Sequence, residues 1–105
     1  MVEENREGHI TERLDRVIHE RARLGIMTIL VGGEEVEFMV LKRTLLLTDG
    51  NLNAHLRVLE KNGYVTETKR FVGKRPKTAY RVTEKGVEAF RMYIDGLEQF
   101  LKSIS

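Results

Sequence analysis

The sequence predicts a mainly α fold carrying one small β unit, and three observations carry that expectation. Apolar residues recur at intervals of three and four through most of the 105 residues. A single stretch, Tyr64 to Val82, instead holds two alternating runs rich in aromatic and β-branched residues. Capping and turn residues stand where one pattern gives way to the other.

Ile10, Leu14, Val17, Ile18 and Leu24 are spaced by threes, fours or their multiples, which predicts a first helix from about Ile10 to Leu30, ended by Gly32 and Gly33. Val36, between acids, suggests a one-contact strand. A short helix follows over Phe38 to Leu46, with Phe38, Leu41 and Leu45 on one side. Thr48 suits the N-cap of the next helix because its hydroxyl accepts from free N–H groups, and Asp49 places negative charge at the positive helix end. Gly63 suits the C′ position that closes it. Tyr64 to Thr68 and Thr78 to Val82 predict two strands around a loop, Lys69 to Lys77, whose Pro76 would stiffen the tip. Thr83 caps a last helix reaching about Ile104. The whole is expected to be one domain over 1–105, with a first helix in 8–31, a helix pair in 37–63, the hairpin in 64–82 and a dimerising helix in 83–105.

Several function classes are disfavoured at once. Cysteine is absent, which removes disulfides and thiolate metal sites. The start, MVEENREGHI, is polar and acidic, and no apolar run approaches the roughly 18 residues of a membrane span, so a soluble cytoplasmic protein without a membrane partner is expected. No nucleophile has an evident base, and neither a phosphate loop nor metal-ligand spacing is present. An enzyme is therefore not expected, nor is a cofactor or a metal. A site built from His9 and His19 across a dimer would still lack the three or four convergent ligands a divalent ion wants, and His55 reads as a packing or phosphate-adjacent residue.

Net charge is only +2, but its distribution is informative. Lys69, Arg70, Lys74, Arg75, Lys77 and Arg81 lie between Glu67 and Glu84 with no acid among them. A local basic patch is the electrostatic footprint of nucleic-acid binding. The helix before it is shaped to match. At 100° per residue, Leu52, Leu56 and Leu59 fall within roughly 60° and form a buried stripe. Ala54, Arg57 and Lys61 point away from it, Gly50 shares that outer face, and Asn51 and Asn53 flank it. A face that is small and polar near its start and basic further along suits a helix inserted into a major groove.

The run LTDGNLNAHLRVLEKNGYV, followed by RPKTAYRVTEKG, resembles the winged helix-turn-helix transcriptional regulators of bacteria and archaea, near the ArsR and MarR families. The match covers about Ile10 to Tyr93. It implies a winged helix-turn-helix with long N- and C-terminal helices, in which Phe38 to Leu46 is the first helix of the motif, Thr48 to Asn62 the recognition helix and Tyr64 to Val82 the wing. Double-stranded DNA is the implied partner, contacted by Thr48, Asp49, Gly50, Asn51, Asn53, Ala54, Arg57 and Lys61 of the helix and by Lys69, Arg70, Lys74, Arg75 and Lys77 of the wing. Unlike metal-sensing ArsR proteins, this chain has no ligand cluster; whether a small molecule controls it is open. A winged-helix module that binds protein rather than DNA is the alternative.

The final helix adds a second expectation. Val87, Phe90, Ile94, Leu97, Leu101 and Ile104 are spaced 3, 4, 3, 4, 3, an a/d seam. Part of the seam could pack on the domain, or fold back into the core of a monomer, but a helix outrunning a compact domain has few internal surfaces to cover, so a homodimer is expected through Ile10, Leu14, Val17, Phe90, Ile94, Leu97, Leu101 and Ile104.

Overall fold

Leu52, Leu56 and Leu59 are fully buried, and that stripe fixes which side of their helix faces the core. The structure, a computed structural model, describes residues 14–105. Its elements run α1 (Arg21–Leu30), β1 (Val36–Glu37), α2 (Phe38–Leu45), α3 (Asp49–Lys61), β2 (Val65–Val72), β3 (Arg75–Val82) and α4 (Glu84–Ser103). Four helices and one antiparallel sheet of order β1-β3-β2 are thus present among the described residues, as a mainly α fold with a β wing requires. The core forms where α1, α2 and α3 meet the base of the hairpin: Ile18, Ile26, Met27, Leu30, Leu41 and the α3 leucines are sealed against Tyr80 and Val65. β1 is the short strand that Val36 suggested, pairing Val36 with Tyr80 and Glu37 with Ala79.

The first helix differs from expectation. Ile10 lies outside the described residues, and from Leu14 to Glu20 the chain is bent and turned rather than helical, so α1 begins at Arg21. The cause is local competition for backbone donors. The Asp15 carboxylate takes the N–H groups of Val17 at 2.8 Å and Ile18 at 3.2 Å, which breaks the i to i−4 ladder there. Glu20 then accepts from Arg23 N–H at 2.8 Å and acts as the N-cap.

The hairpin also differs. The segment Lys69 to Lys77, expected as loop, is almost entirely strand, with pairing continuous from Val65↔Val82 to Val72↔Arg75. Only Gly73 and Lys74 turn the chain, and Gly73 takes φ +66° at the first central position, which a tight hairpin turn of the II′ kind demands. Pro76 therefore sits within β3, opposite Phe71, and not at the tip.

α4 is seated by a cap and a close approach. The Thr83 hydroxyl accepts from Gly86 N–H at 2.9 Å and donates to the Gly63 carbonyl at 2.6 Å. Gly86 lies so near the Tyr64 backbone that an added Cβ would stand 2.3 Å from its carbonyl oxygen, which no side chain tolerates. The inward line of α4 is Gly86, Tyr93 and Gly96, with Ala89 half-buried among them. The a/d seam lies to one side of this line. Phe90, Ile94 and Leu97 flank the line and are partly buried, whereas Val87, Leu101 and Ile104 stay exposed. Leu101 and Ile104 lie beyond the body that would cover them. Of the residues expected at a dimer contact, Leu14 is buried in the chain's own core and Val17 packs partly against it.

Candidate nucleic-acid interface

The start of α3 is built by Thr48, whose hydroxyl accepts from Asn51 N–H at 3.1 Å while its backbone stays extended. Asp49 occupies the first turn, and Lys42 Nζ of α2 lies 2.7 Å from its carboxylate. The repulsion that Asp49 alone would exert on a phosphate is thereby offset. Past this turn, Gly50, Asn51, Asn53, Ala54, Arg57 and Lys61 are all exposed. The opposite side of α3 is the leucine stripe, so the helix is held by one face and free on the other.

His55 lies at the edge of that stripe and packs inward. Its Nδ1 is 3.0 Å from an Arg23 guanidinium nitrogen and 3.7 Å from a Glu20 carboxylate oxygen, and Arg23 Nε also donates to the Val17 carbonyl at 2.6 Å. This cluster ties α3 to the start of α1. His19 is elsewhere, with Nδ1 2.8 Å from the Tyr93 hydroxyl, and His9 lies outside the described residues. Among the described residues no group of three or more metal-ligating side chains converges.

A groove of about 720 Å³ separates the outer face of α3 from the hairpin. It brings together Asn53 and Arg57 from α3 with Lys69, Arg75 and Lys77 from the strands. Arg43 of α2 adds a cation that the sequence pattern does not single out; two adjacent bases, Lys42 and Arg43, at the end of a short helix carry no signal of their own. Lys61, Asn51, Ala54 and Gly50 continue the exposed helix face outside the groove wall, and Lys74 stands at the turn.

Acids set the charge of this surface. Arg70 is ion-paired with Glu35, and Lys77 Nζ lies 3.3 Å from Glu37. Lys69, Lys74 and Arg75 are exposed on the same hairpin and form none of the ion pairs found among the described residues. At the back of the groove the Tyr80 hydroxyl donates to Glu67 at 3.0 Å; burial, that bond and the neighbouring acids push its phenol well above the usual range. Burial also raises Glu60, helped by the Glu67 charge and opposed by Arg57. Arg57 is thus within electrostatic reach of Glu60 while its side chain stays exposed. The surface offers amide and guanidinium donors on a free helix face and point charges on an adjoining β arm. Such a set suits base edges and phosphates, respectively.

Residues 22–101 match the winged helix DNA-binding domain family. An uncharacterized protein of Methanocaldococcus jannaschii is 40% identical over 89 residues, spanning 85% of this chain and 97% of that protein. Among solved structures, a transcriptional regulator homologue protein from Pyrococcus horikoshii OT3 superposes with a TM-score of 0.81 at 31% identity, covering 90% of this chain and 95% of that one. The transcriptional regulator BldR from Sulfolobus solfataricus shares the fold at 17% identity, with a TM-score of 0.69 over 98% of this chain and 76% of its own.

Proposed function

Because the chain belongs to the winged helix DNA-binding domain family and is a winged-helix transcription regulator, not an enzyme, we propose that it acts in the cytoplasm as a sequence-specific homodimer on duplex DNA. The observation that carries this reading is the free face of α3 beside the basic arm, with Asn53 and Arg57 sharing one groove with Lys69 and Arg75. In it, α3 enters the major groove. Gly50 and Ala54 allow the close approach, Thr48 caps the inserted turn, Asp49 sits at the contact with its charge met by Lys42, and Asn51 and Asn53 meet adenine edges near the helix start. Arg57 reaches a guanine and Lys61 a phosphate. The wing residues Lys69, Arg70, Lys74, Arg75 and Lys77 hold the backbone and set register more than sequence. Half-sites rich in A·T near the helix start, with at most one strongly preferred guanine, follow from that division.

Mobility-shift titrations over a salt series, on selected and random duplexes, test it. Wild-type protein should bind both with a steep log–log salt dependence and prefer the selected site. Asn53→Ala should weaken the selected site by about 1–3 kcal/mol and random DNA far less. Absence of retention at low salt would favour a protein-binding module. Equal losses on both duplexes would mean that Asn53 touches backbone alone.

A further inference from the structure

The hairpin outruns the rest of the sheet. β1 reaches β3 only at Tyr80 and Ala79, so from Lys69↔Thr78 outward to Val72↔Arg75 the arm has two strands. Four residue pairs at about 3.4 Å each give an arm of roughly 14 Å, long enough to reach a groove beside the one α3 would occupy. At its end Phe71 is 75% exposed and Val72 56%. Phe71 is the one aromatic residue among the strongly exposed hydrophobics of the described chain, and it lies opposite Pro76, which widens the apolar end. Cations stand near it: Lys69 two residues back on the same face, Lys74 at the turn, and Arg75, paired with Val72, on the other face of the tip.

That combination selects among occupants. An apolar protein pocket receiving Phe71 would need an acidic rim to meet the lysines and arginine as well, and a second copy of this basic arm would be repelled. Duplex DNA presents what the tip complements, a stack of aromatic bases between two rows of phosphates. We propose that Phe71 is a wedge that enters the minor groove and stacks on a partly opened base step, while Lys69, Lys74 and Arg75 hold the flanking phosphates. Phe71 is then a specificity-determining residue as well as an affinity contact. Steps that open most cheaply, the pyrimidine–purine steps, are favoured where the arm lands, without any hydrogen bond to a base edge. This inference rests on the DNA-binding reading above and adds a readout to it that polar residues do not supply.

The test uses the full chain and a selected duplex with 2-aminopurine at the step beside the wing contact. Wild-type binding should raise the 2-aminopurine fluorescence as the base unstacks. Phe71→Ala should abolish that rise and weaken binding about tenfold or more, while leaving the salt slope unchanged because no charge is removed. Phe71→Leu, still an apolar wedge, should retain most of the rise. The chain has no tryptophan, so Phe71→Trp gives a single-tryptophan reporter whose emission should be quenched on the duplex and shielded from acrylamide. Phe71 is exposed, so unchanged circular dichroism is expected of every variant. If Phe71→Ala binds and unstacks like wild type, the wedge is wrong and DNA binding stands. If Phe71→Ala changes the mass in light scattering, the ring serves contact between copies and the wedge is wrong. If wild-type protein binds no duplex at all, the DNA-binding reading falls and takes the wedge with it.

Discussion

Tyr64 ties three distant segments together through one residue. Its hydroxyl donates to Asp15 before α1, its carbonyl accepts from Thr83 N–H at 3.0 Å, and the Lys85 ammonium lies 5.8 Å from its ring centre. Burial, then the bond and charge of Asp15, push the phenol up to about 12, and burial raises Tyr80 and Tyr93 as well. The unfolded chain gives up these protons near pH 10, the folded one later, so the stabilisation is complete below about pH 10 and is lost as pH rises through about 12. Ultraviolet titration of the three tyrosines, with no tryptophan to interfere, should therefore show little phenolate at pH 10 and then ionisation coupled to loss of helical signal. Ionisation near the ordinary value without unfolding would place these rings in water. Nothing local in the sequence pairs Tyr64 with Asp15, 49 positions apart. Thr48 and Thr83 are legible as caps because a cap and its helix are neighbours in sequence.

At the scale of elements, legibility follows how local the governing interaction is. The buried stripe of α3 follows from spacing alone, because three leucines on one face leave no second way to bury them. Apolar spacing does not reveal the inward line of α4, because it gives glycine no weight, yet Gly86 lies against the Tyr64 backbone and Gly96 is buried on the same side. Residue type draws the wing strands too short because charged residues read as loop, whereas a basic strand that pairs on one edge can keep its side chains in solvent. The acids that partner this arm are not legible, since Glu35 and Glu37 meet it only through β1. They make a measurable difference between basic residues of one hairpin. Lys69→Gln, Lys74→Gln and Arg75→Gln together should flatten the log–log salt slope of DNA binding by up to about 3, at about 0.9 for each phosphate no longer neutralised. Arg70→Gln with Lys77→Gln should flatten it by less per residue, because their charges are already partly met by Glu35 and Glu37. Equal effects per residue would show that these ion pairs open freely when DNA binds.

At the scale of the molecule, the unanswered surface is the outer side of α4. Val87 is 45% exposed, Leu101 52% and Ile104 68%, and Val87, Ile94 and Leu101 are seven residues apart, which makes them one stripe. In the homodimer proposed above, the same stripe on a second chain would cover it, since a two-fold axis counts every apolar contact twice. Burial of such side chains contributes on the order of 1–3 kcal/mol each, so several per chain suffice for a dimer whose site is pseudo-palindromic, its half-sites about one helical turn or a multiple apart. Leu97 is a poor residue on which to test this, because it packs partly against its own core and its removal would confuse folding with assembly. Leu101 and Ile104 lie past that core. Leu101→Glu with Ile104→Lys should leave the melting of the domain nearly unchanged, halve the mass seen by light scattering and reduce binding to that of a single half-site. A variant that stays dimeric would move the interface off the end of α4, and one that becomes monomeric yet binds the full site undiminished would remove the two-fold logic from recognition.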